Sequence, residues 1–428
     1  MYDVTYDVIN PKVPTFIYGV CIILICYLII YVYVRSKSAF WSKQPVFHTY
    51  DILYWLFPCG IVQHELPEHN KYINFKNIHT FDFKEVQKDQ IDSFVNLIQT
   101  EYMRFDDIHY NPSHNEIIPY MERHNSPCYL TMYLEDEHLL HTDTNQVTKD
   151  IKCMSCITCR PLNIYIDDHK LMAYYIDFLV VSRNNRKNGI APEMIQTHEY
   201  TRRVKNPDIP ISIFKRDTDL TNIVPLTTYM NYIFNILRWQ KPSTMQNGFQ
   251  CIQITKDNIY IIYPYLTNTK QFKCIMITEL SNLIHLVETN NIHVYATMRM
   301  MQRDVYGIYF FRNSSTMYKK YKMMECFASI FPKIGATQEK RFTFTKERRD
   351  LHNNRMKNVF IQGFHHAMFA CFHQYQYKYL IMENISHNEI IIENIIRKHA
   401  PEFTSPSAFY FYNFVHFPFD SSEVCAVY

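Results

Sequence analysis

Glycine is unusually scarce in this sequence, with 7 residues in 428 positions. So little glycine excludes a collagen-like period and glycine-rich linkers. Together with abundant isoleucine, asparagine, lysine and tyrosine, it suggests a coding sequence biased towards A and T, as in a large DNA virus or a protist. The formal net charge is also small, at +3, and no strong basic patch with interleaved aromatic residues occurs. We therefore predict no nucleic-acid partner.

The length of the chain bounds its organisation. A chain of 428 residues is longer than a typical single domain, so we expect two domains or two fused halves. Hydrophobic residues make up 47% and aromatic residues 16% of the chain, which is the composition of a folded protein. No low-complexity linker separates the halves, and this fits two repeats that share one interface.

One segment near the N-terminus lacks charge altogether. Residues 15–34, TFIYGVCIILICYLIIYVYV, would span roughly 30 Å as a helix, the hydrocarbon thickness of a bilayer. Acidic residues precede the segment, and basic residues follow it from Arg35. The positive-inside rule then predicts an exterior tail over 1–13, a transmembrane helix over 14–34 and a cytosolic C-terminal domain, in a host or virion membrane if the protein is viral. A buried core helix is the alternative.

The 12 cysteines lack the spacing of a disulfide framework, which fits a cytosolic domain with reduced thiols. The densest group, CMSCITC, contains Cys153, Cys156 and Cys159, and such spacing can indicate an iron–sulfur site. The surrounding residues are typical of a β-strand, which would place Cys153 and Cys159 on one face and Cys156 on the other. No fourth cysteine lies nearby in the sequence, so we predict no metal site.

A basic loop between a strand and a helix is the most informative local pattern. Residues 171–181, LMAYYIDFLVV, predict a strand, and residues 192–204 predict a helix with Pro192 at its first position. The six residues between them, RKNGIA over 186–191, would lie at a helix N-terminus, which binds phosphate through free backbone N–H groups and the helix dipole. The alternative is an ordinary β–α turn with solvated basic residues.

The hexapeptide fits R-x-x-G-x-A, the coenzyme A pyrophosphate loop of the Gcn5-related acyltransferase fold. Longer stretches resemble the N-myristoyltransferase family. These are FWSKQPV (40–46), IDFLVVSRNNRKNGIAPEMI with TRRV (176–204), YKYLIMENISHNEIIIENI (377–395) and YFYNF with EVCAVY (410–428). They occur in the order that the family has, and the resemblance covers about residues 39–428.

The resemblance implies an α/β (α+β) fold. Two tandem Gcn5-related N-acyltransferase-like repeats would share a continuous mixed sheet, preceded by the single N-terminal transmembrane helix. We place the first repeat, which would bind acyl-CoA, over 35–237, and the second, with acceptor binding and the C-terminal tail, over 238–428. Ile91, Phe94 and Ile98 recur at helical spacing and predict an amphipathic helix early in the first repeat.

The resemblance also implies an activity, the transfer of a myristoyl or similar acyl group from acyl-CoA to the N-terminal glycine amine of an acceptor protein at a membrane. Myristoyl-CoA would be the acyl donor, and no metal would take part. The backbone N–H groups of Phe178 and Leu179 would form an oxyanion hole, and the C-terminal carboxylate of Tyr428 would be the general base. The implied coenzyme-binding residues are Phe40, Trp41, Leu179, Val180, Val181, Arg186, Lys187, Gly189, Ile190 and Ala191.

The acceptor side departs from the family pattern. Lys215 stands where the family has a threonine, and Asn231 where histidine is usual. The acidic loop is shortened to YMRFDDIHY. The implied acceptor-binding residues are Asp106, Asp107, Tyr110, Tyr229 and Asn231. Two alternatives stay open: an acyltransferase of the same fold with another amine acceptor, such as a lysine, and a non-catalytic structural membrane protein derived from it.

Overall fold

The structure is a computed structural model that describes residues 12–37, 39–104, 107–141, 146–167, 169–268, 270–301, 304–332 and 346–428. The α-helices in this part of the chain are α1 (Lys12–Lys37), α2 (Lys88–Glu101), α3 (His114–Ile117), α4 (Ile190–Lys205), α5 (Tyr263–Leu266), α6 (Leu280–Glu288), α7 (Lys346–Tyr375) and α8 (Asn388–Ile396). Short 3-10 helices cover Trp41–Lys43, Ile52–Trp55, Phe83–Glu85, Ile118–Met121, Arg183–Asn185, Ile259–Ile261 and Ser421–Glu423.

The strands of the first half are β1 (Gly60–Ile61), β2 (Ile78–Asp82), β3 (Ile108–Tyr110), β4 (Tyr129–His141), β5 (Gln146–Ile166), β6 (His169–Val181), β7 (Ile211–Asp217) and β8 (Thr227–Asn235). Those of the second half are β9 (Phe249–Ile254), β10 (Cys274–Ile277), β11 (Ile292–Arg299), β12 (Asp304–Tyr318), β13 (Tyr321–Ile330), β14 (Tyr379–Glu383), β15 (Phe403–Tyr412), β16 (Phe414–Val415) and β17 (Val424–Val427).

One large mixed sheet organises the molecule. Its main path runs β17-β10-β5-β6-β7-β15-β8-β14-β13-β12-β11-β9, with β2 joined to β4, β4 to β5 and β3 to β12. The pairs β6–β7, β10–β17 and β13–β14 are parallel, and the others are antiparallel. The path contains strands of both halves, with β15 of the second half between β7 and β8 of the first, and this one continuous mixed sheet confirms the predicted fold class. The boundary between the two repeats at residue 237 stays a prediction.

The amphipathic helix predicted in the first repeat is α2. Its Phe94, Val95, Leu97 and Ile98 are buried against Cys156 and Phe178 of the sheet. Burial of apolar side chains stabilises such a helix by about 1.5–3 kcal/mol per large residue, before the opposing chain entropy. This packing fixes the position of the last residue of α2, Glu101, which contributes to the site described below.

A β-bulge corrects the predicted placement of the cysteines. Cys153 and Cys156 pack in the same cluster as Phe94, whereas Cys159 packs with Tyr129 in another. The register between β4 and β5 shifts beside Cys153, and the extra residue of such a bulge reverses the alternation of faces. The prediction that Cys153 and Cys159 share a face was therefore wrong.

Helix α1 is apolar from Phe16 to Tyr33, and the side chains of this segment are exposed apart from the half-buried Tyr31. Its segment Phe16–Tyr33 is long and apolar enough to cross a membrane. A signal sequence near an N-terminus can also be long and apolar enough to meet this description. The membrane span and its orientation, with the N-terminus outside, stay predictions.

Candidate active site

The predicted strand–loop–helix unit consists of β6, the loop 182–189 and α4. Gly189 caps the helix with φ 83° and ψ 0°, a left-handed conformation that glycine adopts without steric strain. The helix begins at Ile190 rather than at Pro192, so the prediction of Pro192 at the first position was wrong. Proline is tolerated there because N–H groups in the first turn have no partner within a helix.

Side chains that the pattern did not identify hold this loop. The guanidinium of Arg186 donates from Nη2 to the Glu101 carbonyl oxygen at 2.9 Å and from Nε to the Val181 carbonyl oxygen at 3.0 Å. The Arg183 N–H donates to Glu101 Oε2 at 3.1 Å. The Arg186 side chain is therefore partly committed to the loop, whereas Lys187 and Gly189 are exposed.

The strands β6 and β7 pair only at one end. Their parallel register runs from Ala173 and Ile211 to Ile176 and Phe214, after which β6 continues along β5 and β7 continues along β15. Two diverging parallel strands leave a gap that opens towards their carboxyl ends. The predicted oxyanion-hole residues lie at the start of this gap.

A second bulge shapes that position. The register between β5 and β6 shifts so that Phe178 and Leu179 lie opposite one residue of β5, and Phe178 has a positive φ of 52°. Bulges of this kind redirect backbone groups away from the ladder. The Phe178 N–H donates to the side chain of its own neighbour, Asp177 Oδ1, at 2.9 Å. One of the two predicted oxyanion donors is thus held by a carboxylate.

A cavity of about 410 Å³ lies between β6, β7 and α4; we call it the donor cavity. Of the residues expected to bind coenzyme, Trp41 and Leu179 line it. Phe40 is buried behind Trp41, with ring centroids 5.2 Å apart. Val180 and Val181 pack into apolar clusters instead, so the structure does not place them at the cavity.

The donor cavity has a polar inner wall. His198 and Ser212 both line it and are buried, and neither His198 Nε2 nor Ser212 Oγ has a partner among the described residues. His198 Nδ1 lies 2.7 Å from Thr131 Oγ1. Burial lowers the pKa of His198 to about 3, so this histidine is neutral at pH 7.

A second cavity, of about 480 Å³, lies on the other side of the Asp177–Phe178 bulge; we call it the acceptor cavity. The predicted residues Tyr110, Asn231 and Tyr428 line it. Residues shared with the donor cavity are Tyr102, Met103, Asp177, Phe178, Lys215, Asp217 and Thr218. The two cavities therefore meet at the predicted oxyanion hole.

Tyr428 is almost fully buried in the acceptor cavity. The preceding strand, β17, pairs with β10 and delivers the C-terminal residue to this position. Its ring lies 4.5 Å from that of Tyr175, and the guanidiniums of Arg160 and Arg312 lie 5.6 Å and 5.8 Å from its centroid. Both guanidiniums therefore lie against the Tyr428 ring, and burial raises the pKa of the Tyr428 hydroxyl to about 12.

A buried ionic network forms one wall of the acceptor cavity. Lys215 Nζ lies 3.1 Å from Glu383 Oε1 and 3.3 Å from Asp217 Oδ1. Arg312 Nε lies 2.6 Å from Glu325 Oε2, and its Nη2 lies 3.4 Å from Glu383 Oε1. We call these five residues the ionic network; it joins β7 of the first half to β12, β13 and β14 of the second.

The network fixes protonation states. Although burial alone would lower the pKa of Lys215, Asp217 and Glu383 raise it well above its usual range. Burial raises the pKa of Glu383 even against the attraction of Lys215. Burial also acts to raise the pKa of Glu325, but Arg312 holds it below its usual range. Lys215 is therefore a cation throughout the physiological pH range.

The other acceptor-side residues are placed differently. Tyr229 OH donates to Glu383 Oε2 at 2.5 Å and so supports the ionic network from outside the cavity lining. Asn231 Nδ2 donates to Ser407 Oγ at 2.6 Å. Asp107 is exposed and lines neither cavity. Asp106 lies outside the described residues.

In the part of the chain that the structure describes, no group of three or more histidine, cysteine, aspartate or glutamate residues could hold a metal ion.

Comparison with known proteins gives the site a context. Residues 68–227 match the family model for myristoyl-CoA:protein N-myristoyltransferase, N-terminal domain. A search of curated proteins by sequence gave no match.

Solved structures of the Saccharomyces cerevisiae N-myristoyltransferase resemble the whole chain. Two with bound myristoyl-CoA are 13% and 14% identical in sequence, each with a TM-score of 0.65, and a third with bound myristoyl-CoA and inhibitors is 13% identical with the same score. The three alignments cover 90%, 90% and 89% of this chain and 94%, 90% and 91% of those chains.

At such low identity the likeness establishes the fold. Together with the family match it confirms the predicted resemblance and supports a glycylpeptide N-tetradecanoyltransferase-like enzyme class. Residues 68–227 therefore resemble the N-terminal domain of the myristoyl-CoA:protein N-myristoyltransferase family, within a chain whose overall fold resembles that of the yeast N-myristoyltransferase.

Proposed function

We propose that the protein transfers a myristoyl or similar acyl group from acyl-CoA to the N-terminal glycine amine of acceptor proteins. One observation supports this most strongly: the donor and acceptor cavities meet at Asp177 and Phe178. Transfer between two substrates requires the reacting atoms to come within about 3–3.5 Å of each other, and a junction between two cavities provides that contact.

The donor side would hold acyl-CoA along β6 and α4. The acyl chain would enter the donor cavity beneath Trp41, and the coenzyme phosphates would lie at the loop 186–191 and the start of α4. The thioester carbonyl would lie at the bulge, within reach of the Phe178 and Leu179 N–H groups. Because Asp177 Oδ1 already accepts the Phe178 N–H, the bound carbonyl would have to replace that carboxylate.

The acceptor side is suited to an ammonium group. The acceptor cavity and the layer beneath it contain the cations Arg160, Lys215 and Arg312 and the acids Glu116, Asp177, Asp217, Glu325 and Glu383. Acidic side chains outnumber basic ones, and the terminal carboxylate of Tyr428 adds to them. Such a site attracts a peptide N-terminus and can accept the proton that the amine must lose.

The chemistry then needs no nucleophilic side chain. The amine nitrogen attacks the thioester carbon, a C–N bond forms, and the C–S bond breaks to release coenzyme A as a thiol. The incoming ammonium gives up one proton before attack, for which we propose the Tyr428 carboxylate as acceptor, and the nitrogen gives up a second proton that ends on the leaving sulfur. Each fixed donor to the oxyanion is worth about 3–4 kcal/mol by analogy with other oxyanion holes.

Helix α1 would anchor this activity to a membrane. A single myristoyl chain binds a bilayer only marginally, so an enzyme held at the membrane would release its products where they are retained. Removal of residues 1–37 should leave transfer in solution intact and reduce acylation of membrane-bound acceptors in cells. Unchanged cellular acylation would contradict the anchoring role.

The test of the activity is direct. We expect the full chain in mild detergent to convert a peptide with N-terminal glycine and myristoyl-CoA to myristoyl-peptide, detected by mass spectrometry. The matched control is a peptide whose N-terminus is acetylated and which contains no lysine, so that it offers no amine for acylation. Modification of internal lysines alone would favour another amine acceptor. The absence of both acyl-CoA binding and transfer would favour the non-catalytic alternative.

A further inference from the structure

A rigid turn next to α1 exposes large apolar side chains. Residues 52–56, ILYWL, include the 3-10 helix Ile52–Trp55. The exposed fractions are 60% for Ile52, 68% for Leu53, 68% for Trp55 and 77% for Leu56. We call these four side chains the apolar turn. Contiguous exposed apolar groups of this size mark a contact surface.

The turn is held in place from within. Tyr54, between the exposed residues, is buried and donates from its hydroxyl to the His416 carbonyl oxygen at 2.9 Å. The Phe57 N–H donates to the Leu53 carbonyl oxygen at 3.0 Å. The ring of Trp55 stacks on that of Phe417, with centroids 5.9 Å apart. The four apolar side chains therefore point outward from an ordered support.

Contacts with α1 show where the apolar turn lies along the axis of that helix. Tyr27 OH donates to the Tyr50 carbonyl oxygen at 3.2 Å, and the rings of Tyr31 and Tyr50 lie 6.1 Å apart. Tyr27 precedes Arg35 by eight positions, which is about 12 Å along a helix axis at about 1.5 Å per residue. Tyr31 precedes Arg35 by only four positions, about 6 Å along the axis. Tyr50 thus lies beside the apolar part of α1, about 6–12 Å inward from Arg35.

We propose that the apolar turn inserts into the same lipid bilayer that α1 crosses. Arginine at the end of a span lies at the headgroup level, so a segment that follows Tyr50, about 6–12 Å further in, lies at the level of the acyl chains nearest the headgroups. The side chains at that depth are isoleucine, leucine and tryptophan, and tryptophan is enriched at the membrane interface. The one acidic neighbour in the turn, Asp51, accepts a hydrogen bond from the His48 N–H at 2.7 Å.

Two contacts would fix the orientation of the catalytic domain. A single helix allows rotation about its axis, whereas a helix and a second inserted turn hold one face of the domain to the membrane. This inference rests on the anchoring role proposed for α1 and is independent of the acyl-transfer chemistry. The occupant that we assign is lipid, and a second copy of this chain is the alternative outcome of the test.

Tryptophan fluorescence can test the assignment in the full chain. The sequence contains 3 tryptophans, Trp41, Trp55 and Trp239. We expect phosphatidylcholine vesicles with brominated acyl chains to quench the reconstituted protein more than vesicles without bromine. Trp55→Phe should remove most of this difference, whereas Trp239→Phe, at a buried position, should retain it. Replacing Leu53 and Leu56 together with serine should weaken the quenching of the retained Trp55.

Flotation of the vesicles separates the two proposals. Protein that floats with the vesicles but shows the same bromine quenching in wild type and Trp55→Phe would overturn the inserted turn and leave the anchor intact. Protein that does not float would overturn both. A Trp55 that is shielded from acrylamide in water yet insensitive to bromine would assign the turn to a protein contact and also overturn the proposal.

Discussion

At the scale of single residues, Gly189 connects backbone geometry to the proposed binding of coenzyme A phosphates. Its φ of 83° strains other residues, but a Cβ there would meet no atom within 4 Å, so only conformation and charge limit the position. Asparagine and aspartate tolerate this conformation best among the other residues, and they differ mainly in charge. The pair Gly189→Asp and Gly189→Asn therefore isolates the electrostatic effect.

We expect Gly189→Asp to weaken acyl-CoA binding at least about tenfold relative to Gly189→Asn, because like charges about 4 Å apart repel by about 1 kcal/mol in water and by more near a protein surface. Isothermal titration calorimetry with myristoyl-CoA measures the affinities of both variants. Equal affinities for the two variants would mean that no phosphate lies at this loop.

The buried His198 leads us to expect that the stability of the protein depends on pH. Burial lowers its pKa to about 3 in the folded chain, below the ordinary value, so protonation favours the unfolded state. The contribution of neutral His198 to the free energy of unfolding is present above pH 6.5, the pKa of an ordinary histidine. It is lost as the pH falls, by about 2 kcal/mol at pH 5, because each pH unit below that value is worth about 1.4 kcal/mol.

The measurement is urea unfolding at several pH values. His198→Asn should lose less unfolding free energy between pH 7 and pH 5 than the wild type, and the exposed His109→Asn should behave like the wild type. If the unfolding free energy of His198→Asn fell with pH as steeply as that of the wild type, this histidine would be solvated in the folded chain.

At the scale of secondary-structure elements, helix α7 lies unusually close to the sheet. A Cβ at Gly363 would lie 1.8 Å from Thr297 Oγ1 and 2.6 Å from Tyr309 OH. Helix propensity alone would make Gly363→Ala stabilising by about 1 kcal/mol. The contacts reverse that sign, and we expect destabilisation of about 1–3 kcal/mol from overpacking.

Ala370→Gly, at an exposed position of the same helix, is the matched control and should be destabilising by about 1 kcal/mol. Thermal unfolding followed by circular dichroism compares the two. Stabilisation by Gly363→Ala would mean that α7 does not pack this closely on β11 and β12.

Local patterns predicted the elements better than they predicted the site. The strand 171–181, the loop around Gly189 and the helix α2 were predictable, because the apolar and β-branched run, the basic hexapeptide and the helical periodicity each depend on neighbours a few residues apart. Glu101, Arg160 and Asp177 were not identified, because their roles depend on β5, β6 and α2 meeting in space. The start of α4 was wrong by two residues, since proline is tolerated at several first-turn positions.

At the scale of the whole molecule, the ionic network ties the two halves together. Lys215 and Glu383 are 168 positions apart in sequence, and no local pattern indicates their contact. Removing one partner leaves a buried charge uncompensated, which typically costs about 3–5 kcal/mol. We expect Lys215→Met to be destabilising by that amount.

A double-mutant cycle tests the coupling. Lys215→Met combined with Glu383→Gln should be less destabilised than the sum of the single variants, by about 1–3 kcal/mol. Lys273→Met removes an exposed pair with Glu423 and should change stability far less than Lys215→Met, because solvent screens such a pair. Strict additivity of Lys215→Met and Glu383→Gln in urea unfolding would contradict a direct interaction.

The central claim is that donor and acceptor cavities meet at Asp177 and Phe178, and a structure of the full chain with a non-reactive thioether analogue of myristoyl-CoA tests it most directly. The analogue must keep a ketone in place of the thioester carbonyl, and we expect its oxygen about 3 Å from the Phe178 and Leu179 nitrogens, with Asp177 turned away and the pyrophosphate at residues 186–191. An analogue bound elsewhere, or a carbonyl that leaves the Asp177–Phe178 hydrogen bond in place, would contradict it.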